Sequence, residues 1–308
     1  MYEREGGALR TGTLTSPERS LQHQPVLCRE VIDLLRPRPG GVYVDATLGL
    51  GGHAEQIVNR GGRVVGIEWD DDAASRAAER LGPSVTIVRD SYANLPLILE
   101  SLKLAVVDGM LLDLGVSSLQ FDTASRGFSF QREGPLDMRM SPRVPRTARE
   151  LLQGSGERDL ESIFREYGEE PRARKIAAAI VRARGEPGSD ILESTRALGD
   201  FVERLLGRHG RTHPATRVFQ ALRIAVNGEL ENLKKFLGEF DKYLGSGARG
   251  AVISFHSLED RLVKWDFKAK AAGGDLRIVT KKPVRATREE VLENPRSRSA
   301  KLRVIEKV

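Results

Sequence analysis

The sequence has little that would place it in a membrane or outside the cell. Cys28 is the only cysteine among 308 residues, so the chain cannot form an internal disulfide. No apolar run approaches the roughly 20 residues that a helix needs to cross a bilayer, and no apolar signal stretch follows Glu3, Arg4 and Glu5. We therefore expect a cytoplasmic protein in a reducing compartment, with no membrane partner.

Positive charge is unevenly distributed along the chain. The formal net charge is +6, and residues 281–308 hold nine Lys or Arg and four Glu, which gives +5. A basic segment of this kind is the electrostatic footprint expected of a protein that binds a phosphate backbone, although solubility alone also explains basic surfaces. Charge favours a nucleic-acid partner without deciding the matter.

The first part of the chain has an alternating pattern behind a polar start. Residues 1–20 are polar and aperiodic, so we expect a disordered tail there. Nearly continuous apolar strands separated by helices then indicate a parallel sheet with both faces covered. The predicted strands are 41–46, 63–69, 84–88 and 108–114, and the predicted helices are 54–59, 72–80 and about 93–101.

Further along, the pattern changes to helix after helix and then returns to strands. Thr147 and Glu150 have the spacing of a capping box, and Glu157–Tyr167 aligns apolar residues on one face. A long helix over Ala215–Leu237 and a buried strand over 249–256 follow. Segments 277–282 and 302–307 are predicted edge strands. The predicted domains are a sheet domain of residues 21–123 and 215–308 and an all-helical inserted domain of residues 124–214.

The count is about seven strands, mostly parallel, which is an α/β fold with a Rossmann-like sheet. In such a sheet, ligands bind beyond the carboxyl ends of the strands. Asp45, Glu68 and Asp113 end three of the predicted strands, and glycines at 49–52 allow a sharp turn close to a ligand. Glu68 is placed to accept hydrogen bonds from both ribose hydroxyls of NAD or S-adenosylmethionine.

Two features favour S-adenosylmethionine over NAD. The turn lacks the third glycine of the G-x-G-x-x-G spacing, although a glycine turn alone is a weak signal. Asp45 precedes the turn, where a carboxylate suits the positively charged methionine part and would repel a pyrophosphate. Tyr92 follows the third strand and is a candidate for packing on adenine, although an aromatic residue at a strand end is as often plain core.

Other candidates surround the predicted crevice. Asp113 is a candidate catalytic group, the alternative being a cap of the next turn. Phe128 and Phe130 alternate with Arg126 and Arg132, which suits stacking of an unpaired base, but two aromatic residues at period two also fit a buried strand.

His256 ends a strand and precedes Ser257 and Asp260, which have capping-box spacing, and it is the second catalytic candidate. A metal site with Glu259 and Asp260 is disfavoured, because no cysteine or second nearby histidine completes a ligand set, so we predict no metal.

A polar stripe lies on the long predicted helix. Arg217, Gln220, Arg223 and Asn227 recur at spacings of three, three and four. A solvated face is the default interpretation. His213 and Pro214 at the start of the helix nevertheless make Arg217 a candidate substrate contact.

Eight segments together resemble the MraW family, S-adenosylmethionine-dependent methyltransferases that modify N4 of a cytidine in the decoding region of 16S ribosomal RNA. The likeness runs from His23 to Val308. The segments are HQPVL at 23–27, DATLGLGGHA at 45–54, DLGVSSLQ at 113–120, RGFSF at 126–130, GPLDMRM at 134–140, HPATRVFQALRIAVNGEL at 213–230, ISFHSLEDRLVK at 253–264 and NPRSRSAKLR at 294–303.

The resemblance implies a class I methyltransferase sheet and a set of cofactor contacts. The family usually has Asp where this chain has Glu68, which keeps the carboxylate and adds one methylene. The implied cofactor contacts are Gly51, Gly52, His53, Glu68, Tyr92, Asp113 and Gln120.

The implied reaction is an in-line methyl transfer to an exocyclic amine, which needs alignment and a hydrogen-bond acceptor more than a strong base. The chain lacks the D/S/N-P-P-Y/F signature of many amino methyltransferases, so we expect Asp113 or a carbonyl of 114–118 to accept, with His256 nearby. Phe128 or Phe130 would support the cytidine. The expected phosphate contacts are Arg217, Arg296 and Arg298.

Several alternatives stay open at the level of sequence. One is a methyltransferase acting on another nucleic acid or on a protein glutamine. Another is a ribosome-assembly factor that binds RNA and uses the cofactor only structurally, and a third is a nicotinamide dehydrogenase. The residues also do not decide between free 16S rRNA and the small ribosomal subunit as substrate, or between a monomer and a homodimer.

Overall fold

The computed structural model describes residues 25–208, 210 and 212–308. The predicted disordered tail of residues 1–20 lies outside these residues. Within the described part, seven strands form one sheet. The strands are β1 Val42–Asp45, β2 Arg63–Ile67, β3 Val85–Val88, β4 Val107–Asp113, β5 Leu244–Ser254, β6 Leu276–Ile278 and β7 Lys301–Lys307.

The sheet order is β3-β2-β1-β4-β5-β7-β6, and the first five strands are parallel. The predicted Rossmann-like, mostly parallel sheet of seven strands is therefore confirmed. The chain leaves β1 towards β2 and β3 and then returns to place β4 on the other side of β1. Beyond the carboxyl ends of β1 and β4, this reversal opens the crevice in which such sheets bind ligands.

The prediction that residues 302–307 form an edge strand is wrong. Strand β7 lies between β5 and β6 and pairs antiparallel with both, so the three-residue β6 is the edge. Leu302, Val304 and Ile305 are all buried. The weak alternation in the sequence reflects a strand that is covered on both faces, which a run of apolar residues alone does not distinguish from an edge.

Thirteen α-helices accompany the sheet in the described residues, and none of them is both long and apolar enough to cross a membrane. Their bounds are α1 Cys28–Leu35, α2 Gly52–Val58, α3 Asp71–Leu81, α4 Leu95–Ser101, α5 Ser118–Asp122, α6 Ala148–Gly154, α7 Glu157–Glu166, α8 Ala173–Arg184, α9 Thr195–Leu206, α10 Ala215–Asn227, α11 Glu229–Glu239, α12 Ser257–Ala272 and α13 Arg288–Glu293.

Helices cover both faces of the sheet. Leu111 and Leu112 are neighbours in β4, and their side chains point to opposite faces. Leu112 belongs to a core shared with α4, α11 and α12, whereas Leu111 belongs to a core shared with α1, α2 and α3. This three-layer arrangement fixes the strand ends that carry Asp45 and Asp113.

A third core, which we call the helical unit, joins α6 to α9. Phe164, Ile176 and Leu198 are fully buried in it. Helix α10 adds Val218 and Leu222 to the same core, so it packs with the helical unit. The predicted domain boundary at 214 and 215 stays a prediction.

The single long helix predicted over 215–237 is wrong. The chain bends at Gly228, whose φ of 60° is left-handed, so that α10 ends at Asn227 and α11 begins at Glu229. The apolar period continues across the bend because α10 buries its stripe in the helical unit while α11 buries its own against the sheet. Glycine is the usual residue at such a helix end.

Candidate active site

One cavity at the carboxyl ends of β1, β2 and β4 brings most of the predicted cofactor residues together. Asp45 and Gly51 lie directly beside its lining, at the end of β1 and at the N-cap of α2. Arg296 also lines it, whereas His256 is not among its lining residues. The predicted residues in the lining are Gly52, His53, Glu68, Tyr92, Asp113 and Gln120.

Asp45 and His53, which are buried, and Asp113, which is partly buried, form a charged cluster at this cavity. Nε2 of His53 lies 3.6 Å from Oδ2 of Asp113, which is an ion-pair distance. Asp45 Oδ2, Asp113 Oδ1 and both ring nitrogens of His53 are buried without a hydrogen-bond partner in the described structure. Buried polar atoms are nearly always hydrogen-bonded in proteins, so this cluster has the character of a ligand site.

The environment shifts the pKa values in this cluster. Burial raises the pKa of Asp45 to about 6, against the lowering effect of His53. Burial would lower the pKa of His53, but the nearby Asp113, Cys28 and Asp45 outweigh it and raise the value to about 10. At neutral pH the imidazole is therefore positively charged and lies between two carboxyl groups.

Glu68 directly follows β2, and its carboxylate accepts hydrogen bonds from backbone N–H groups of two loops. Its Oε2 accepts a hydrogen bond from the N–H of Gly49 at 2.7 Å, and its Oε1 accepts one from Asp70 at 2.7 Å. Burial nevertheless raises the pKa of Glu68 to about 7, against the lowering effect of these hydrogen bonds. Each of the two oxygens can accept a further hydrogen bond, and the ribose contact of Glu68 stays a prediction.

Asp70 is a buried residue that connects several segments around the cavity, and it was not predicted from the sequence. It caps α3, and its Oδ2 accepts a hydrogen bond from Nε2 of Gln120 at 2.8 Å and pairs with Arg126 at 2.6 Å. Arg126 also donates to the carbonyls of Arg139 and Met140 in the loop before the helical unit. Three consecutive Asp residues at 70–72, after a strand, were the available signal of a helix cap.

The glycines of the turn are needed partly for packing within the protein, whereas the sequence predicted only a sharp turn close to a ligand. Gly49 and Gly51 have φ values of 53° and 79°, which glycine adopts readily. A Cβ on Gly51 would overlap the side chain of Leu81, and one on Gly52 would press on the ring of Pro25 at 3.1 Å. Packing within the protein, as well as approach to a ligand, therefore requires small residues here.

His256 belongs to a separate buried group beside the cavity. It is itself the N-cap of α12, and its capping partner is Glu259, so the capping box begins one residue earlier than predicted. Its Nε2 lies 3.1 Å from Oε1 of Glu259. The predicted catalytic role of His256 is therefore not supported by its position, since its ring is engaged in the helix start.

Glu229, His256 and Glu259 are close enough to one another to hold a metal ion. However, the guanidinium of Arg223 already donates two hydrogen bonds of 2.8 Å to Glu229, and Glu259 accepts one of 2.8 Å from the Phe255 N–H. The Arg223 guanidinium thus already provides a positive charge beside these carboxylates. Asp260, the third predicted ligand of the disfavoured metal site, pairs instead with Lys301 and Arg303.

The stripe on α10 is not a solvated face, contrary to the default interpretation. The Gln220 side chain donates to the Tyr167 carbonyl at 2.9 Å, and Asn227 donates to the Met138 carbonyl at 2.8 Å. With Arg223, these side chains fasten α10 to neighbouring segments. Only Arg217 stays half exposed, 3.9 Å from Glu170.

Comparison with known proteins agrees with this geometry. Residues 20–308 match the sequence profile of the MraW methylase family. The chain is 48% identical to ribosomal RNA small subunit methyltransferase H of Pelobacter propionicus, covering 93% of this chain and 99% of the relative. Relatives of the same name from Halothermothrix orenii and Coprothermobacter proteolyticus are 45% and 48% identical, covering 94% and 93% of this chain and 99% and 96% of the relatives.

The chain belongs to the MraW methylase family. The resemblance inferred from the eight segments is thereby confirmed, and the protein is a methyltransferase with S-adenosylmethionine as its cofactor. The cavity fits this cofactor. The unpartnered carboxyl oxygens of Asp45 and Asp113 suit its cationic methionine part, and Glu68 suits its ribose.

The two aromatic residues predicted to stack on a base are not among the residues that line the cavity of this MraW-family methylase. Phe128 is 7% exposed and is part of the helical unit core. Phe130 stacks on His213 with ring centres 4.5 Å apart and meets Phe219 edge-on at 5.0 Å. Both rings already pack against protein neighbours, which does not favour base stacking, and the stacking role stays a prediction.

A different aromatic residue lies beside Arg296, which lines the methylase cavity. Phe121 is 37% exposed on α5, and the guanidinium of Arg296 lies 5.3 Å from its ring centre. Arg296 also pairs with Asp122 at 2.8 Å. Arg298, the other predicted phosphate contact of this segment, is exposed on the same short turn, Pro295–Ser299.

Proposed function

We propose that this methylase transfers the methyl group of S-adenosylmethionine to N4 of a cytidine in the decoding region of 16S rRNA. The observation that carries the proposal is the charged cluster of Asp45, His53 and Asp113, in which one carboxyl oxygen of each Asp lacks a hydrogen-bond partner. The resemblance of eight segments to the MraW family and the names of the relatives support the choice of substrate.

The reaction relies on alignment more than on a strong base. S-adenosylmethionine supplies an electrophilic methyl group on its sulfonium. The exocyclic amine of cytosine is a weak nucleophile, and its proton becomes acidic only as the new bond to carbon forms. Asp113 accepts a hydrogen bond from this amine and orients it, while the charged His53 ring holds the Asp113 carboxylate in place. Such orientation provides a large share of the acceleration.

The rim of the cavity suits an RNA substrate. We expect Phe121 and Arg296 to meet the nucleotide as it swings out towards the methyl group, in place of Phe128 and Phe130. Arg298 and Arg217 are exposed and half exposed, and we retain them as phosphate contacts. A ribosomal RNA substrate would place the enzyme in the cytoplasm, with the small ribosomal subunit as its partner.

Labelled cofactor incubated with small ribosomal subunits, free 16S rRNA and protein fractions tests the proposal. We expect label in RNA, and mass mapping of 16S rRNA from a strain without the protein to lack one methyl group on a decoding-region cytidine. Label in protein would point to a protein glutamine methyltransferase, and absence of turnover to an assembly factor.

The role of Asp113 has its own test. An Asp113→Asn protein should methylate at least about 100-fold more slowly, since it loses the charged acceptor at the reacting amine. Normal methylation together with normal cofactor affinity would exclude Asp113 as the acceptor.

A further inference from the structure

The outer face of α12 carries an exposed tryptophan among basic residues. Trp265 is 59% exposed. The ammonium groups of Lys264 and Lys268 lie 5.3 Å and 4.9 Å from its ring centre. At 100° per residue, Arg261, Lys264, Trp265 and Lys268 share an arc of about 100°, which we call the tryptophan face.

The protein core does not require this tryptophan. Helix α12 buries Glu259, Val263 and Phe267 on its opposite side. Large aromatic residues are enriched where proteins meet partners, and a ring that is mostly exposed beside two lysines is available for contact. The tryptophan face therefore has a free surface that combines a flat ring with positive charge.

The tryptophan face meets one carboxylate, that of Glu169, and this carboxylate is already paired with Arg261. Asp260 and Asp266 lie at other angles around the helix and pair with cations of their own, Asp260 with Lys301 and Arg303 and Asp266 with Lys270. Glu169 of the helical unit meets the face at one point, where Arg261 at 2.9 Å and the Ser257 hydroxyl hold it. A partner of this face must therefore offer a flat ring and negative charge together.

The position of the face connects it with the cavity. Helix α12 begins directly after Phe255 and His256, and Phe255 lines the cavity. Trp265 lies eight residues after Ser257, which corresponds to about 12 Å along the helix. At the roughly 3.4 Å spacing of stacked bases, a single strand of about four nucleotides that leaves the cavity could span this distance.

We propose that the tryptophan face binds an unpaired nucleotide of the RNA substrate outside the cavity. A base replaces the two lysines on the indole ring, and the freed ammonium groups of Lys264 and Lys268 contact the flanking phosphates. The proposal rests on the proposed RNA substrate and adds a second contact to it. A partner with acidic side chains alone would use the lysines but would not need the ring.

Binding of protein-free 16S rRNA by full-length variants tests the proposal, measured by filter binding over a range of salt concentrations. Trp265→Ala should weaken binding about tenfold, whereas Trp265→Phe, the matched control that keeps a ring, should stay within about threefold. A Lys264→Gln, Lys268→Gln double variant should lower the slope of log K against log salt by about 1.4, because each phosphate contact on a single strand contributes about 0.7.

Fluorescence gives a direct reading, since Trp69 and Trp265 are the only tryptophans. In a Trp69→Phe protein, added RNA should quench the emission of Trp265 in a saturable way. Unchanged affinity, slope and emission, with wild-type thermal unfolding, would overturn the proposal.

Three further outcomes separate this proposal from others. Normal binding of free rRNA, combined with weakened binding of whole small subunits, would overturn it in favour of a ribosomal protein partner. Methylation of rRNA by a Trp265→Ala protein at saturating RNA would leave the proposed function intact whatever the fate of this face. Absence of RNA methylation by the wild-type enzyme would instead refute the proposed function itself.

Discussion

His53 shows how a single residue organises the chemistry of the cavity. Its ring is 5% exposed and lies 3.6 Å from Asp113, with Asp45 close enough to raise its pKa. Two buried carboxylates would repel each other without a cation between them. The charged imidazole allows both to stay near a positively charged methionine group, so the cluster is suited to the cofactor in both shape and charge.

Glu68 predicts a pH dependence of cofactor affinity. With its pKa raised to about 7, the carboxyl is mostly protonated at pH 6 and mostly charged at pH 7.5. The charged form accepts hydrogen bonds from ribose hydroxyls more strongly, so affinity should rise about five- to tenfold between these pH values. Calorimetric titration with S-adenosylmethionine measures this.

Two variants isolate the contribution of Glu68. Glu68→Gln cannot titrate and should lose most of the rise, leaving the part due to Asp45, whose pKa of about 6 lies lower. Glu68→Asp keeps a carboxylate and should keep a pH-dependent affinity. An unchanged pH profile in Glu68→Gln would assign the rise to another group.

At the scale of elements, the loop of residues 124–140 is held by its backbone. The Met138 N–H donates to the Arg126 carbonyl at 3.0 Å, and the Thr195 N–H donates to the Gly134 carbonyl at 2.8 Å. A Cβ on Gly134 would overlap the carbonyl oxygen of Ala124. The loop is thus a closely packed segment that joins the cavity to the helical unit.

This packing predicts graded costs of glycine substitutions. Gly134→Ala should lower the free energy of unfolding by about 2 kcal/mol or more, because a rigid backbone atom must move. Gly228→Ala should cost about 1 kcal/mol, from its left-handed backbone alone, since nothing lies within 4 Å of the added carbon. Gly154→Ala, in a helix with open space around it, is the control and should be neutral. Urea unfolding measures all three, and equal values would contradict the argument.

The spacing of apolar residues predicted most helices and strands, but it did not predict which parts of the protein each of them packs against. Asp45, Glu68 and Asp113 were found because the ends of parallel strands meet at one edge whatever covers the sheet. The hydrogen bonds of Asn227 and Gln220 to backbone carbonyls could not be predicted, because a polar stripe has the same spacing whether it meets water or carbonyl groups. The bend at Gly228 was missed since two different cores continue one apolar period.

At the scale of the whole molecule, Arg126 joins the cofactor cavity to the helical unit. It pairs with Asp70, which is only 3% exposed, and it donates to two carbonyls of the connecting loop. Asp70 in turn holds Gln120 and the start of α3. Removing one partner of a buried pair leaves an uncompensated charge, which costs more than removing both.

A double-mutant comparison tests this connection. Arg126→Gln should lower the free energy of unfolding by about 2 kcal/mol or more, and adding Asp70→Asn should restore part of the loss, since Asn still caps a helix. Chemical denaturation of the single and double variants measures this. A double variant no more stable than Arg126→Gln would show that the pair itself is of little importance.

The bend at Gly228 has a consequence for any attempt to shorten this enzyme. Excision of residues 124–214 alone would strip the cover from Val218, Phe219 and Leu222 on α10, because those side chains pack among the excised helices. The shortened protein would expose a stripe of apolar side chains to solvent and would tend to aggregate. A minimal catalytic domain would therefore also have to omit α10. The deletion would end at Gly228, where the core of the helical unit ends and the core of the sheet begins.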